Sequence, residues 1–170
     1  MTEPPPVPMP LAALATAEPS HLRELLLGIC SSPAWAAAVA ASRPWPDRAA
    51  LLAANARATA GLSPSELNEA LAGHARIGTP RPGDAASARE QSGIRGAEPS
   101  VLVALAAANS AYEAKFGHVF LICATGRTAA AVLAAVRERL PHDAATEAEA
   151  VRAELRKIND LRLDRLLATS

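Results

Sequence analysis

The chain has 170 residues, half of them apolar and 3% aromatic, with 17 Lys and Arg balancing 17 Asp and Glu. Zero formal net charge argues against a nucleic-acid binder, which needs a basic surplus or stripe, and against a polybasic membrane anchor. Alanine supplies about a quarter of the chain, far above ordinary usage, so the core must be built from Leu, Val, Ile and closely approaching Ala, which suits packed helices.

The first ten residues, M-T-E-P-P-P-V-P-M-P, lack the basic and apolar regions of a signal peptide and read as a disordered, proline-rich tail ahead of one domain over 11–170. No apolar run approaches the roughly 18 residues of a membrane span. Cys30 and Cys123 both lie in apolar surroundings and read as buried thiols in a reducing compartment, so the expected setting is cytoplasmic.

Helix punctuation follows in order. Ser20 caps a helix over 21–30, and Ser32-Pro33 opens one over 33–41. Pro46-Asp47 opens a helix to Thr59, stopped by Gly61, and Ser63-Pro64-Ser65-Glu66 is a capping box for a helix to Gly73. After a rigid loop over 77–83, Asp84 caps a short helix carrying Ser87, Glu90 and Gln91. A long helix spans 99–116 and ends at Gly117. The run V-F-L-I-C-A that follows is either extended or helical. Thr125–Thr128 leads into a helix to Leu140, and Asp143 caps a last helix to Ala168. Strand candidates are almost absent. The expected class is therefore all-α, a single-domain bundle of about eight helices with short connections.

Four places carry polar groups that packing does not require. His74 follows the helix that runs out at Gly73, where it either caps the terminal carbonyls or turns one ring nitrogen into a cleft. Ser87, Glu90 and Gln91 stand at i, i+3 and i+4, so they share one face, which is either solvated or suited to a heterocycle rich in N–H and C=O groups. In the last helix Val151, Leu155, Ile158 and Leu166 form an apolar comb, and Arg162 fills its missing tooth. A guanidinium there needs an anion, either an internal carboxylate or a ligand. Finally, Ile122, Cys123, Ala124, Thr125 and Gly126 lead into a helix start, whose N–H groups could receive a ligand oxygen. No His/Cys cluster has metal spacing and no nucleotide-binding glycine loop occurs, so no metal or organic cofactor is expected.

Five segments, H-A-R-I-G at 74–78, S-A-R-E-Q at 87–91, N-S-A-Y-E-A-K-F-G at 109–117, I-C-A-T-G at 122–126 and E-L-R-K-I-N-D-L-R-L at 154–163, together resemble the 2-oxo-4-hydroxy-4-carboxy-5-ureidoimidazoline (OHCU) decarboxylase family over nearly the whole chain. The resemblance implies an all-helical, cofactor-free and homodimeric enzyme that forms (S)-allantoin in urate degradation. It implies His74 as catalytic acid/base, with Glu90 and Arg162 also catalytic. The substrate would be held by Ala75, by Ser87, Ala88, Arg89, Glu90 and Gln91, and by Ile122 to Gly126. The family's histidine is commonly followed by proline, and this chain has Ala75 there. The competing readings are a non-catalytic helical interaction module that kept the fold, and a lyase acting on a related carboxylated ureido heterocycle.

Overall fold

The computed structural model describes residues 7–167. Among them are nine α-helices: α1 (Leu11–Thr16), α2 (Pro19–Ile29), α3 (Pro33–Ala41), α4 (Arg48–Ala60), α5 (Pro64–Ala72), α6 (Ala85–Glu90), α7 (Pro99–Phe116), α8 (Ala129–Arg139) and α9 (Ala144–Leu166), with a 3₁₀ turn at Ser92–Ile94. Extended pairing among the described residues is confined to one isolated parallel bridge, Met9 with Leu167. The all-α expectation holds. No described helix is long and apolar enough to cross a membrane. The proline-rich tail falls largely on residues 1–6, outside the described residues.

Local chemistry sets most helix starts. Ser32 accepts from the Trp35 N–H, Asp47 from Ala50, and Thr128 from Ala131. The Ser63–Glu66 capping box forms in both directions. α7 ends at Gly117, whose φ of 77° is the left-handed conformation that favours glycine. One start differs from expectation, and one helix, α1, is not among those expected. α2 begins at Pro19, because the Glu18 carboxylate accepts from the N–H groups of Ser20 and His21 and proline suits the first helical position. The six-residue α1 lacks a side-chain cap; its Leu14 is fully buried, so packing holds a helix too short to form alone.

The described residues divide into two compact units: one of residues 74–154, and one of residues 7–73 together with 155–167. The unit of residues 74–154 contains α6, α7, α8 and the first half of α9. Its core gathers Ile77, Leu105, Tyr112, Phe120, Val132 and Val136. Tyr112 meets Phe116 and Phe120 at ring-centroid distances of 4.6 and 5.1 Å.

The other unit packs α1–α5 and the second half of α9 around Leu14, Leu26, Trp35, Val39, Leu51 and Leu163. A polar knot runs through this core. The fully buried Asn55 accepts from the Trp35 indole at 2.9 Å and from the Thr59 hydroxyl at 3.1 Å. Its amide donates to the Arg156 carbonyl and to Asp160, tying α4 to α3 and α9. An open groove of about 290 Å³ lies between α3 and α4, lined by small side chains such as Ala34, Ala38, Ala54 and Ala58; none of the candidate site residues lines it.

Candidate active site

The loop that follows α5 carries His74, which is buried at 5% exposure, and Ala75, buried at 6%. Glycine is needed just before it. A Cβ at Gly73 would lie 2.1 Å from Ser31 Oγ and 2.6 Å from Ser31 Cβ. Downstream, the loop is pinned to α7. Arg76 donates through Nε to Glu113 at 2.8 Å and through Nη2 to the Ser110 hydroxyl at 2.8 Å. Asn109 Nδ2 donates to the Ile77 carbonyl at 3.0 Å.

Gln91 supplies the other anchor. Its Oε1 accepts from the Gly78 N–H at 2.9 Å, and its Nε2 reaches the Arg76 carbonyl at 3.5 Å. The end of α6 and the histidine loop are therefore held together by one carboxamide. Asn109 on the α7 stripe faces inward, as its spacing suggests, and its Oδ1 is buried without a hydrogen-bond partner.

The α6 trio is not a solvated face. Ser87, Glu90 and Gln91 are buried at 3%, 8% and 7% exposure, while Arg89 is exposed and Ala88 half-buried. Burial of three polar side chains on one side of a short helix costs free energy unless each finds partners. Asp84 serves Ser87 twice, accepting from its N–H at 2.9 Å and from its hydroxyl at 2.7 Å. The Ser87 hydroxyl proton is thus engaged in a hydrogen bond to a carboxylate, and toward any further group Oγ presents lone pairs only.

The segment from Gly117 to Thr128 is neither helix nor strand. Phe120, Leu121, Ile122 and Ala124 are nonetheless buried, Cys123 is half-buried, and Thr125 and Gly126 are exposed. One expectation changes here: the Cys123 thiol is not fully buried, whereas Cys30 is. The 122–126 segment leads into α8 as expected, with Thr128 capping the helix and Gly126, at a φ of 76°, turning the chain before it. The Cys123 N–H donates to Glu154 Oε2 at 2.9 Å. Gly93 brings this segment against the end of α6, since a Cβ there would lie 2.3 Å from the Arg127 carbonyl oxygen. The chain segments just beyond the two motifs thus meet backbone to backbone, at Gly93 and Arg127.

Beneath the segment lies a buried charged cluster. Glu147, 1% exposed, accepts from Arg139 Nε at 3.0 Å and Nη2 at 2.5 Å, from the Tyr112 hydroxyl at 2.5 Å and from His142 Nδ1 at 2.9 Å. Arg139 also donates to the Leu121 carbonyl at 2.8 Å and lies over the Phe120 ring. Burial pushes the Glu147 carboxyl up, but the bonds from Arg139, Tyr112 and His142 outweigh it and hold the group below the usual glutamate range. Burial, followed by the adjacent Glu147, pushes the Tyr112 phenol well above its ordinary value.

Arg162 belongs to the other unit. Leu163, fully buried, fills the core position that the comb left open, and Arg162 stands half-buried beside it. At 3.6 residues per turn both 162 and 163 fall near the apolar stripe, and the leucine takes its centre. Arg162 Nη1 donates to the carbonyl of Ile29 at 2.9 Å. This is the last residue of α2, where helix carbonyls lack intrahelical partners and attract a cation. The same guanidinium bears on the Cys30 thiol, whose pKa burial raises and Arg162 lowers in part.

A family model described as OHCU decarboxylase matches residues 15–164. This chain belongs to the OHCU decarboxylase family. The family is one of carboxy-lyases. The chain is 34% identical over 146 residues to the uric acid degradation bifunctional protein TTL of Arabidopsis thaliana, a match that covers 82% of this chain and 45% of that protein. It therefore spans less than half the length of that curated relative. A crystal structure of OHCU decarboxylase in the presence of (S)-allantoin aligns with a TM-score of 0.74 at 27% identity, over 90% of this chain and 100% of that one. A crystal structure of (S)-allantoin synthase shares the fold, with a TM-score of 0.73 at 21% identity over 95% of this chain and 55% of that one.

Within this OHCU decarboxylase family chain, the unit of residues 74–154 holds every candidate site residue except Arg162. Sequence reasoning missed four side chains that shape the candidate site: Arg76, Arg139, Glu147 and Glu154. A signal existed for two of them. Glu147 precedes Val151, Leu155 and Ile158 on the same comb, and Arg139 follows Val132 and Val136, so each is a charge on an apolar stripe. No group of three His, Cys, Asp or Glu side chains placed to hold a metal occurs among the described residues.

Proposed function

We propose that this chain decarboxylates OHCU to (S)-allantoin, without a cofactor. The observation that carries the proposal is the joining of two buried polar elements, the His74 loop and the Ser87–Glu90–Gln91 face, by the Gln91–Gly78 hydrogen bond. Membership of the OHCU decarboxylase family supports OHCU as the substrate.

The chemistry follows from the groups available. Breaking the bond to the carboxylate releases CO₂ and leaves an electron pair on the ring carbon. That pair is delocalised into the ring and then takes a proton on one face. His74 has the side chain suited to supply or relay that proton near neutral pH. Glu90 can hold the ring hydroxyl or a ureido N–H. Ser87 Oγ, its own proton engaged by Asp84, can accept a second ureido N–H, and the Gln91 amide keeps one N–H to offer a substrate carbonyl. The peptide groups near Thr125 and Gly126 receive substrate oxygens. The low exposure of His74 and Glu90 strengthens the interactions these two side chains make, because water screens them little.

The same proposal includes a homodimer in the cytoplasm. α7 offers a face for the second copy, with Val103 71% exposed and Ala106, Ala107, Ala111 and Ala114 also exposed. Sedimentation at micromolar concentration decides it, and a monomer would remove it.

The deciding experiment supplies freshly generated OHCU and follows the circular dichroism of the allantoin formed. Formation of the S enantiomer faster than the spontaneous reaction, unaffected by a chelator, supports the proposal. Racemic product at the uncatalysed rate would overturn the activity, and loss of activity on chelation would overturn cofactor independence.

A further inference from the structure

The backbone from Phe120 to Ala124 poses a physical problem. It is buried at 2–4% exposure at four of five residues and forms no strand pairing among the described residues. Buried peptide groups must find hydrogen-bond partners, and an extended segment ordinarily finds them in a neighbouring strand. Here charged side chains take the place of that strand. Arg139 Nη1 donates to the Leu121 carbonyl at 2.8 Å, Arg127 Nε donates to the Cys123 carbonyl at 3.1 Å, and Glu154 accepts from the Cys123 N–H at 2.9 Å. The first of these contacts is itself locked by Glu147.

We infer that Glu154 is a positioning residue for the substrate-facing backbone at Thr125 and Gly126. The inference rests on the decarboxylase reading above for the identity of the ligand, but not for the contact itself. A carboxylate on a peptide N–H is a charge-assisted bond, shorter and stronger than a neutral one. It fixes the orientation of the Ile122–Cys123 peptide plane. Two residues later the chain emerges to solvent at Thr125 and makes its left-handed turn at Gly126. Rotation of the Cys123 peptide would re-aim the groups that follow it. The Cys123 N–H, being committed to Glu154, is thus part of the frame, and the peptide groups of the exposed residues Thr125 and Gly126 are the ones a substrate oxygen meets.

The test uses the full chain with Glu154→Ala, Glu154→Gln and Glu154→Asp. Amide exchange at Cys123 reads the contact directly, and kcat and KM on freshly generated OHCU, measured well below each melting temperature, read its consequence. Glu154→Ala should lose at least about tenfold of the protection at the Cys123 amide and about 10–100-fold in kcat/KM, the scale of an ångström-sized misplacement. Glu154→Gln, which keeps an acceptor oxygen at the same reach, should recover both to within about fivefold of wild type. Glu154→Asp keeps the charge but shortens the reach, and should resemble alanine. Should the alanine variant fail to fold, the contrast between glutamine and aspartate decides.

Unchanged Cys123 exchange in the alanine or aspartate variant, or a lowered melting temperature with kcat/KM within twofold of wild type, would overturn the inference. Glutamine as impaired as alanine would also overturn it, since charge and not the bond would then matter. If wild type itself does not act on OHCU, the decarboxylase reading fails, and the exchange data alone still uphold or overturn the anchoring of Cys123.

Discussion

Replacing Glu147 with leucine removes the anion at the centre of a closed cluster. Arg139, 8% exposed, then keeps its charge in the core beside the Phe120 ring with no carboxylate. Breaking a buried ion pair by deleting one partner costs about 3–5 kcal/mol. The Tyr112 hydroxyl, which donates to Glu147, is stranded as well, adding about 1–3 kcal/mol. The expected loss is about 4–8 kcal/mol, a large share of the roughly 5–15 kcal/mol that holds a domain folded. For a chain of this size it should lower Tm by about 10–25 °C.

Urea titration and thermal melting by circular dichroism measure the loss. The companion variant replaces Arg139 with Met and Glu147 with Leu together. With no unpaired charge left in Arg139 or Glu147, the double variant should regain much of the loss, keeping the cost of the unsatisfied Tyr112 hydroxyl and Leu121 carbonyl and of the lost His142 and Phe120 contacts. A Glu147→Leu protein within about 1 kcal/mol of wild type, or a double variant as unstable as the single, would refute the reasoning.

The other expectations are narrower. His74→Ala should lose about 10²–10⁴-fold in kcat while costing no more than about 3 kcal/mol in stability, a larger structural share than an exposed helix cap would have, because the ring is buried; activity above a tenth of wild type in the folded variant would make His74 structural. Loss of the Arg162–Ile29 hydrogen bond in Arg162→Met should by itself cost about 1 kcal/mol, the side chain being half-exposed; a loss of about 3–5 kcal/mol in a melt would show that a carboxylate is stranded as well. Gly93→Ala must push the Arg127 backbone away, with about 1–3 kcal/mol lost and a raised KM in steady-state assays. Acid should weaken the protein through Glu147: its folded pKa lies below the unfolded one, so its contribution is full above the ordinary glutamate range and vanishes as pH falls through the folded value. In Glu147→Gln the fall of stability with acid should be shallower than in wild type, as read from melts between pH 3 and 7 on the usual carboxylate scale.

Much of this protein is written in neighbouring residues. The Ser63–Glu66 capping box, the caps at Ser32, Asp47 and Thr128, the α7 stop at Gly117 and the apolar stripes all depend on groups within a few positions of one another. They are therefore legible without a fold. The candidate residues His74, Ser87, Glu90 and Gln91 were legible too, as polar groups at a helix end or on one helix face.

What the sequence left open was which faces water covers and which atoms meet. The α6 trio could be read as solvated or as a site, and only tertiary packing buries it. Cys123 meets Glu154 across 31 positions, and Tyr112 meets Glu147 across 35. No periodicity within one helix encodes such pairs. The same spacing argument that singled out Arg162 applied equally to Arg139 and Glu147, but it cannot say which charge on an apolar stripe finds a buried partner. Leu163 taking the stripe's centre made Arg162 a half-buried ligand of a helix end, while Arg139 and Glu147 closed on each other. Desolvation makes that choice, because a charge stays in the core only where another element brings its counter-charge within hydrogen-bond reach. That proximity belongs to the fold and not to the local sequence.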